Sequence, residues 1–432
     1  MALDALIYLV GNVVLAVQPE LGFTKAVAIG GAWVSPILGL AMVLFLMLST
    51  RGWGNCWLRC AGLVLLTVSP IVAHAQAVGR PDHQSLLLLL LSVALVGEWK
   101  LWERDGCRWR IPTAMAWGLS LWVSLYEPLV LFAAVSLMWV IGDWRRFFSR
   151  TRLAHFLTLS AVFVVGMSIE GWPFAWPGGE DFAKWAVTIG ELRPATWATV
   201  FAWMSWLWPV VVSGALLKRE FRAVGFLALV GVALTLWQSR WGAFGVLLVA
   251  LSLMVFRVEL KRRWMHALFV AGVIISFWPV AAAWEAELEN GRRTGAMKRA
   301  ENLALEDAAK HVEGPFLAVW WHSPALAYFS GRPGVAGSSH QSLPGIKDSE
   351  RFFTTADFGK VYEILKKRQV AFVVAGDVFP ITDNGSQSSP PEMPMARVLS
   401  ERPHSAPPYL RVIHANARFK VFRVYLDKSS SQ

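Results

Sequence analysis

The first residues in this sequence able to do chemistry are the six that separate two apolar runs, Gly79-Arg80-Pro81-Asp82-His83-Gln84. A carboxylate in so short a connection is held at the surface of whatever the runs cross. There it can coordinate a hard divalent cation or pair with a cationic substrate group. Asp82 and Gln84 alternate and both offer oxygen ligands, while His74 lies one or two turns upstream. The plainer reading is that Asp82 pairs with Arg80 and punctuates a turn beside Pro81. A second candidate is Glu191, near the end of a long connection rich in Trp, Pro and Gly. A loop that long among tight connections is functional or disordered, and its aromatic residues argue against disorder. Taken alone, Glu191 reads as a solvated loop charge. The third is Arg240, a lone arginine between two apolar runs in Gln238-Ser239-Arg240-Trp241. Its fork matches phosphate oxygens, and the competing reading is an arginine snorkelling onto anionic headgroups.

The elements that must hold these residues are membrane spans. The chain has 432 residues, of which 55% are hydrophobic and 16% charged, against roughly 45–50% and 25% in soluble domains. A water-soluble fold and intrinsic disorder are both excluded. The net charge of +11 does not point to nucleic acid, because the basic residues sit in short clusters between apolar runs and form no single stripe. Runs near 26–49, 60–78, 85–98, 113–126, 128–142, 154–169, 198–215, 223–238, 241–256 and 265–283 approach the ~20 residues that cross a bilayer. Basic clusters at Arg51 to Arg59, Lys100 to Arg110, Arg145 to Arg152, Lys218 to Arg222 and Arg257 to Arg263 alternate with them, which makes these five connections cytoplasmic. The connections carrying Asp82, Glu127, Glu191 and Arg240, and everything after Trp284, then face outward.

The predicted fold class is a polytopic α-helical membrane protein of about ten transmembrane helices with a C-terminal soluble α/β domain. Residues 1–25 read as an outer interfacial segment, 26–284 as the multi-span domain, and 285–432 as an extracytoplasmic domain large enough for its own core. In that tail, Phe316 to Trp321, Val370 to Ala375 and Phe419 to Tyr425 have strand composition, while Ala300 to His311 and Phe358 to Lys367 have helical spacing. The Ser/Pro stretch Asn384 to Pro394 reads as a mobile loop. Cys56, Cys60 and Cys107 all fall in the cytoplasmic connections, where thiols stay reduced.

The three candidates and their order resemble the oligosaccharyltransferase catalytic subunits, GT-C-type membrane glycosyltransferases. Thr188-Ile189-Gly190-Glu191 looks like the Thr-Ile-x-Glu motif of the bacterial members, and the string on to Trp197 is similar to the eukaryotic SVSEHQPTTW. Asp82-His83-Gln84 stands where that family has its second D-x-D-type motif, and Arg240 stands where it has the arginine that contacts the lipid-linked donor. Trp320-Trp321-His322-Ser323-Pro324 stands at the place of WWDYG. The landmarks cover about residues 79–330.

The resemblance implies transfer of a sugar or oligosaccharide from a polyprenyl phosphate or pyrophosphate, at the plasma (inner) membrane, with the C-terminal domain in the periplasm. It implies Mg²⁺ or Mn²⁺ held by Asp82, Gln84 and Glu191, with Asp82 and Glu191 catalytic and Arg240 on the donor phosphate. Trp320, Trp321 and His322 would lie on the acceptor side. The partners implied are the polyprenyl-linked donor and membrane lipid, and no nucleic acid. Three departures qualify this. His322 replaces the aspartate that reads the Asn-x-Ser/Thr acceptor in the family, which argues against protein N-glycosylation. Gln84 replaces an acidic or histidine ligand, which weakens the metal site. The family's first span and acidic motif would lie upstream of Met1, so the chain reads as N-terminally incomplete. The other classes are a catalytically inactive lipid-binding or scaffold relative and a polyprenyl-lipid transporter. Glu127, outward and near the membrane, is placed to approach the site, although a loop-tip carboxylate is the plainer reading, and His340 reads as a partner for His322.

Overall fold

The computed structural model describes residues 2–103, 107–170, 190–218, 221–257, 262–337, 342–376 and 393–426. They divide into two compact units, one ending at Glu287 and the other beginning at Leu288.

The first unit is helical. Its elements are α1 (Ala2–Val17), α2 (Phe23–Ser49), α3 (Cys56–Val68), α4 (Pro70–Ala75), α5 (His83–Trp102), α6 (Arg110–Val123), α7 (Tyr126–Phe147) and α8 (Arg150–Glu170). They are followed by α9 (Trp197–Met204), α10 (Leu207–Leu217), α11 (Arg222–Trp237), α12 (Gly242–Val255) and α13 (Arg263–Ser276), and by α14 (Trp278–Ala309), whose residues from Leu288 onward belong to the second unit. Among the described residues, five helical stretches are long and apolar enough to cross a membrane: Phe23–Ser49, His83–Trp102, Tyr126–Phe147, Arg152–Ile169 and Trp264–Ala309. Shorter apolar helices accompany them. The protein is a polytopic α-helical membrane protein with a C-terminal α/β domain.

Two expected spans are broken, each for a local reason. The run near 60–78 divides at Ser69, which takes ψ 123 because the Pro70 ring disfavours helical geometry in the residue before it. The run near 198–215 bends by 91° between Met204 and Leu207. Ser205 at the bend has φ +63, a costly backbone for a side-chain-bearing residue. Its hydroxyl donates to the Ser276 carbonyl at 2.8 Å and accepts from Leu207 N at 3.2 Å, which holds the bend.

One proline positions the first candidate. Pro36 lies inside α2 and has no N–H, so the Ala32 carbonyl four residues earlier loses its helical donor. Gly79 N donates to that carbonyl at 2.9 Å. Ser35, beside it, donates to the Arg80 carbonyl at 2.9 Å and accepts from Asp82 N at 3.3 Å. Gly79 has φ +78, which only glycine adopts without strain. The polar loop is thereby docked on the side of α2.

The second unit has a sheet in the order β1-β2-β4-β3. The strands are β1 (Phe316–Leu317), β2 (Phe372–Gly376), β3 (Leu410–Ala415) and β4 (Phe419–Val424). β1 runs parallel to β2, and the other pairs are antiparallel. One face packs Phe372, Val374, Phe419 and Val421 against Leu305, Ala308 and Ala309 of α14. The other packs Val373, Leu410 and Phe422 against Phe352 and Phe353 of α16 (Leu343–Thr354) and Val361 and Leu365 of α17 (Phe358–Lys367). The helix at Phe358–Lys367 begins where Asp357 caps it by accepting from Gly359 N and Lys360 N. The strand expected over Phe316 to Trp321 stops after two residues, and Trp320 and Trp321 lie in the turn before α15 (Ser323–Ser330).

Candidate functional site

Asp82 is the N-cap of α5. Its Oδ1 accepts from Gln84 N at 3.0 Å, and its own carbonyl accepts from the Ser85 hydroxyl at 2.7 Å. His83 Nδ1 lies 3.2 Å from Asp82 Oδ1. The Arg80 guanidinium faces Asp82 at 3.7 Å, as a turn-punctuating pair would, but it also reaches Glu191 Oε1 at 3.5 Å. Two carboxylates far apart in sequence thus converge on one cation. His74 on α4 lies within electrostatic reach of Arg80, Glu287, Glu191 and Asp82. Gln84 is nearly buried in the first turn of α5.

Glu191 sits in a short 3₁₀ turn, Gly190–Leu192, and Arg240 in another, Ser239–Trp241. Ser239 ties the two turns together. Its N–H donates to the Arg193 carbonyl at 2.8 Å, and its hydroxyl donates to the carbonyls of Gly190 at 3.2 Å and Glu191 at 3.1 Å. Arg240 Nη2 pairs with Glu127 Oε1, and its guanidinium lies 5.4 Å from the centre of the Tyr126 ring. Glu127 is only 1% exposed, in the first turn of α7. It is therefore not the loop-tip carboxylate the sequence suggests, because the helix starts at Tyr126 and takes it into the protein. The arginine keeps 24% of its side chain accessible, so one side of the guanidinium is anchored while part of it still meets solvent. Thr188 and Ile189 lie outside the described residues.

The donor set of Asp82, Gln84 and Glu191 is all oxygen, which is the chemistry Mg²⁺ and Mn²⁺ prefer. The geometry fits a divalent ion less well. Arg80 occupies the place between the two carboxylates and balances their charge. An ion could bridge them only by displacing that guanidinium.

In the second unit His322 is the residue just before α15, and its Nε2 lies 3.0 Å from Glu301 Oε1. Trp321 and Phe419 meet the ring edge-on. Burial holds the His322 imidazole below its usual range, although the Glu301 carboxylate opposes this. A depressed histidine favours the neutral native form, so its contribution is complete above the unfolded value of 6.5 and is lost as pH falls below it. The melting temperature of the full chain should therefore drop on acidification from pH 7.5 to 5.5, and His322→Gln should shrink that drop. An equal drop in the variant would remove His322 from the titration. His340, weighed as its partner, lies outside the described residues.

No family model matches the sequence, and neither does any curated protein. Solved structures do match. ArnT from Cupriavidus metallidurans, in its complex with undecaprenyl phosphate, aligns over 96% of this chain and 86% of its own length, with a TM-score of 0.55 and 15% identity. The Archaeoglobus fulgidus oligosaccharyltransferase, tethered to an acceptor peptide containing an NVT sequon, aligns over 86% of this chain with a TM-score of 0.56 and 13% identity. The chain has the GT-C membrane glycosyltransferase fold. It spans 60% of the length of the archaeal enzyme. The same archaeal enzyme has been crystallised with zinc and sulfate, where it aligns with a TM-score of 0.51 and 14% identity.

Within the GT-C fold, the structure brings Asp82, Glu191 and the turn bearing Arg240 into one connected set of contacts. Sequence reasoning missed Arg80, which appears there only as a turn partner, and it ranked the approach of Glu127 to the site below a loop-tip reading. A glutamate just before a proline at the start of an apolar run, Glu127-Pro128, is the signal that could have placed Glu127 in a first helical turn, where carboxylates are favoured.

Proposed function

We propose that the chain is a glycosyltransferase that moves a sugar or oligosaccharide from a polyprenyl phosphate or pyrophosphate to an acceptor on the periplasmic side of the plasma membrane. The observation that supports this best is the coupling of the Glu191 and Arg240 turns through Ser239, with Arg80 joining Glu191 to Asp82. The ArnT neighbour holds undecaprenyl phosphate and the archaeal neighbour an acceptor peptide, the two kinds of ligand such a reaction joins.

In this reading the bond between the anomeric carbon and the donor phosphate oxygen breaks as the acceptor heteroatom bonds to that carbon. Arg240 stabilises the charge that grows on the departing phosphate. Glu191, the more exposed carboxylate, orients the acceptor and receives its proton. Asp82 and Arg80 set the position of Glu191. Asp82, Glu191 and the Gln84 amide would be the residues to hold Mg²⁺ or Mn²⁺, and a bound ion would supply Lewis-acid stabilisation of the same phosphate. Trp320, Trp321 and His322 belong to the acceptor side, and His322 selects an acceptor other than an Asn-x-Ser/Thr sequon.

The test is transfer from a polyprenyl-phosphate sugar in proteoliposomes. Glu191→Gln should lower kcat by about 100-fold or more while donor binding persists. Unchanged turnover would end the catalytic assignment. Wild-type protein that binds donor without any transfer would favour an inactive lipid-binding relative. Chelation by EDTA should abolish activity if the ion occupies the pair, and full activity in EDTA would leave Arg80 as the resident cation.

A further inference from the structure

A second polar cluster lies in the C-terminal unit, on the sheet face that packs against α14. Asp307 is in the last turn of that helix, His311 follows it by four residues, and His414 is on the edge strand β3. One ligand atom from each lies within 4.8 Å of the other two, and among the described residues this is the only such group of three. His414 Nε2 is 2.8 Å from Asp307 Oδ2. The rings of His311 and His414 stack at 3.9 Å.

Two features build the site. The first is a β-bulge between Val412 and His414. It places His414 opposite Val421, and Val421 packs with Leu305, Ala308 and Ala309 of α14. Residues opposite each other on paired strands share a face, so the extra residue turns His414 toward the helix. In an unbulged strand the alternation would turn it to the other side. The second is Asn416. Its Nδ2 donates to Asp307 Oδ2 at 3.1 Å and to the Ala304 carbonyl at 2.8 Å, while its Oδ1 accepts from Arg418 N and Phe419 N. A carboxylate held this way by an outer partner is characteristic of metal ligands.

We propose that Asp307, His311 and His414 form a zinc-class transition-metal site that fastens the edge strand β3 to the end of α14. Two imidazoles and one carboxylate suit Zn²⁺, with water in a fourth position. This donor set is distinct from the all-oxygen group at Asp82 and Glu191, and the proposal stands independently of the glycosyl-transfer reading. Binding replaces the proton shared between Asp307 and His414, which leaves to solvent.

The experiment uses the full chain in detergent, stripped of metal, loaded with Zn²⁺ alone and passed through a desalting column before metal analysis. Wild-type protein should keep one zinc per chain, and so should Asp82→Asn/Glu191→Gln. His311→Gln/His414→Gln should lose that zinc, and Asn416→Ala should weaken binding by about 10- to 100-fold. X-ray absorption at the zinc edge of the wild-type protein should show two imidazoles and oxygen donors, a readout that does not depend on how the variants fold. Zinc retained in full by the double histidine variant would overturn the site. So would a wild type that holds no more zinc than that variant, or an absorption spectrum without imidazole.

Discussion

Glu98→Gln should cost the helical unit about 3–5 kcal/mol of stability, the usual penalty when one partner of a buried ion pair is removed. Glu98, near the end of α5, is 2% exposed, and Arg152 on α8 is 4% exposed. The two form a bidentate pair at 3.2 and 2.6 Å. Trp117 on α6 donates to Glu98 Oε1 at 3.2 Å, and Trp139 on α7 donates to Oε2 at 2.8 Å. One carboxylate is thus the meeting point of side chains from three other helices, and the Arg152 guanidinium also lies 4.6 Å from the centre of the Trp139 ring. The neutral amide removes the charge that compensates Arg152 and presents an N–H₂ group to donors that need an acceptor. Glu98→Leu/Arg152→Leu removes both charges and fills similar volume, so it should lose much less than the single change. The comparison is made by thermal unfolding of the detergent-solubilised chain. A single variant no less stable than the double would show that the pair is not the clamp.

That clamp also shows why only part of the fold is legible in the sequence. Arg152 belongs to a basic cluster that alternation assigns to topology, and nothing in linear order says that Glu98 is its partner. The same holds for Glu127 and Arg240. In contrast, Asp82, Glu191 and Arg240 stand out because each is a polar island between apolar runs, where a charge has few bland explanations. Phe358–Lys367 is legible because Val361 and Leu365 recur at helical spacing behind an Asp cap. β3 is missed because five of its six residues remain at least partly exposed and it lies on the sheet edge, so no alternation marks it. The docking of the polar loop is missed for another reason. Its determinant, the carbonyl freed by Pro36, is a backbone group on a different helix.

Arg240→Ala should raise the apparent donor KM about ten- to a hundredfold, the equivalent of losing a charge-assisted contact of roughly 1.5–3 kcal/mol. If that contact is equally strong in the ground and transition states, kcat changes little; if it tightens as the phosphate leaves, kcat falls as well. Arg240→Lys should recover only part of the loss, because an ammonium keeps the charge without the planar fork or the stacking on Tyr126. The buried partner complicates the single variant, since Arg240→Ala takes the cation away from Glu127, which is 1% exposed in the native protein, and a structural collapse could imitate a binding defect. Glu127→Gln/Arg240→Ala separates the two. Without the uncompensated carboxylate the protein should regain stability, yet donor affinity should stay low if the guanidinium itself binds phosphate. Recovery of donor affinity in the double variant would reduce Arg240 to a structural counter-ion for Glu127, and unchanged affinity in Arg240→Ala would exclude any phosphate contact.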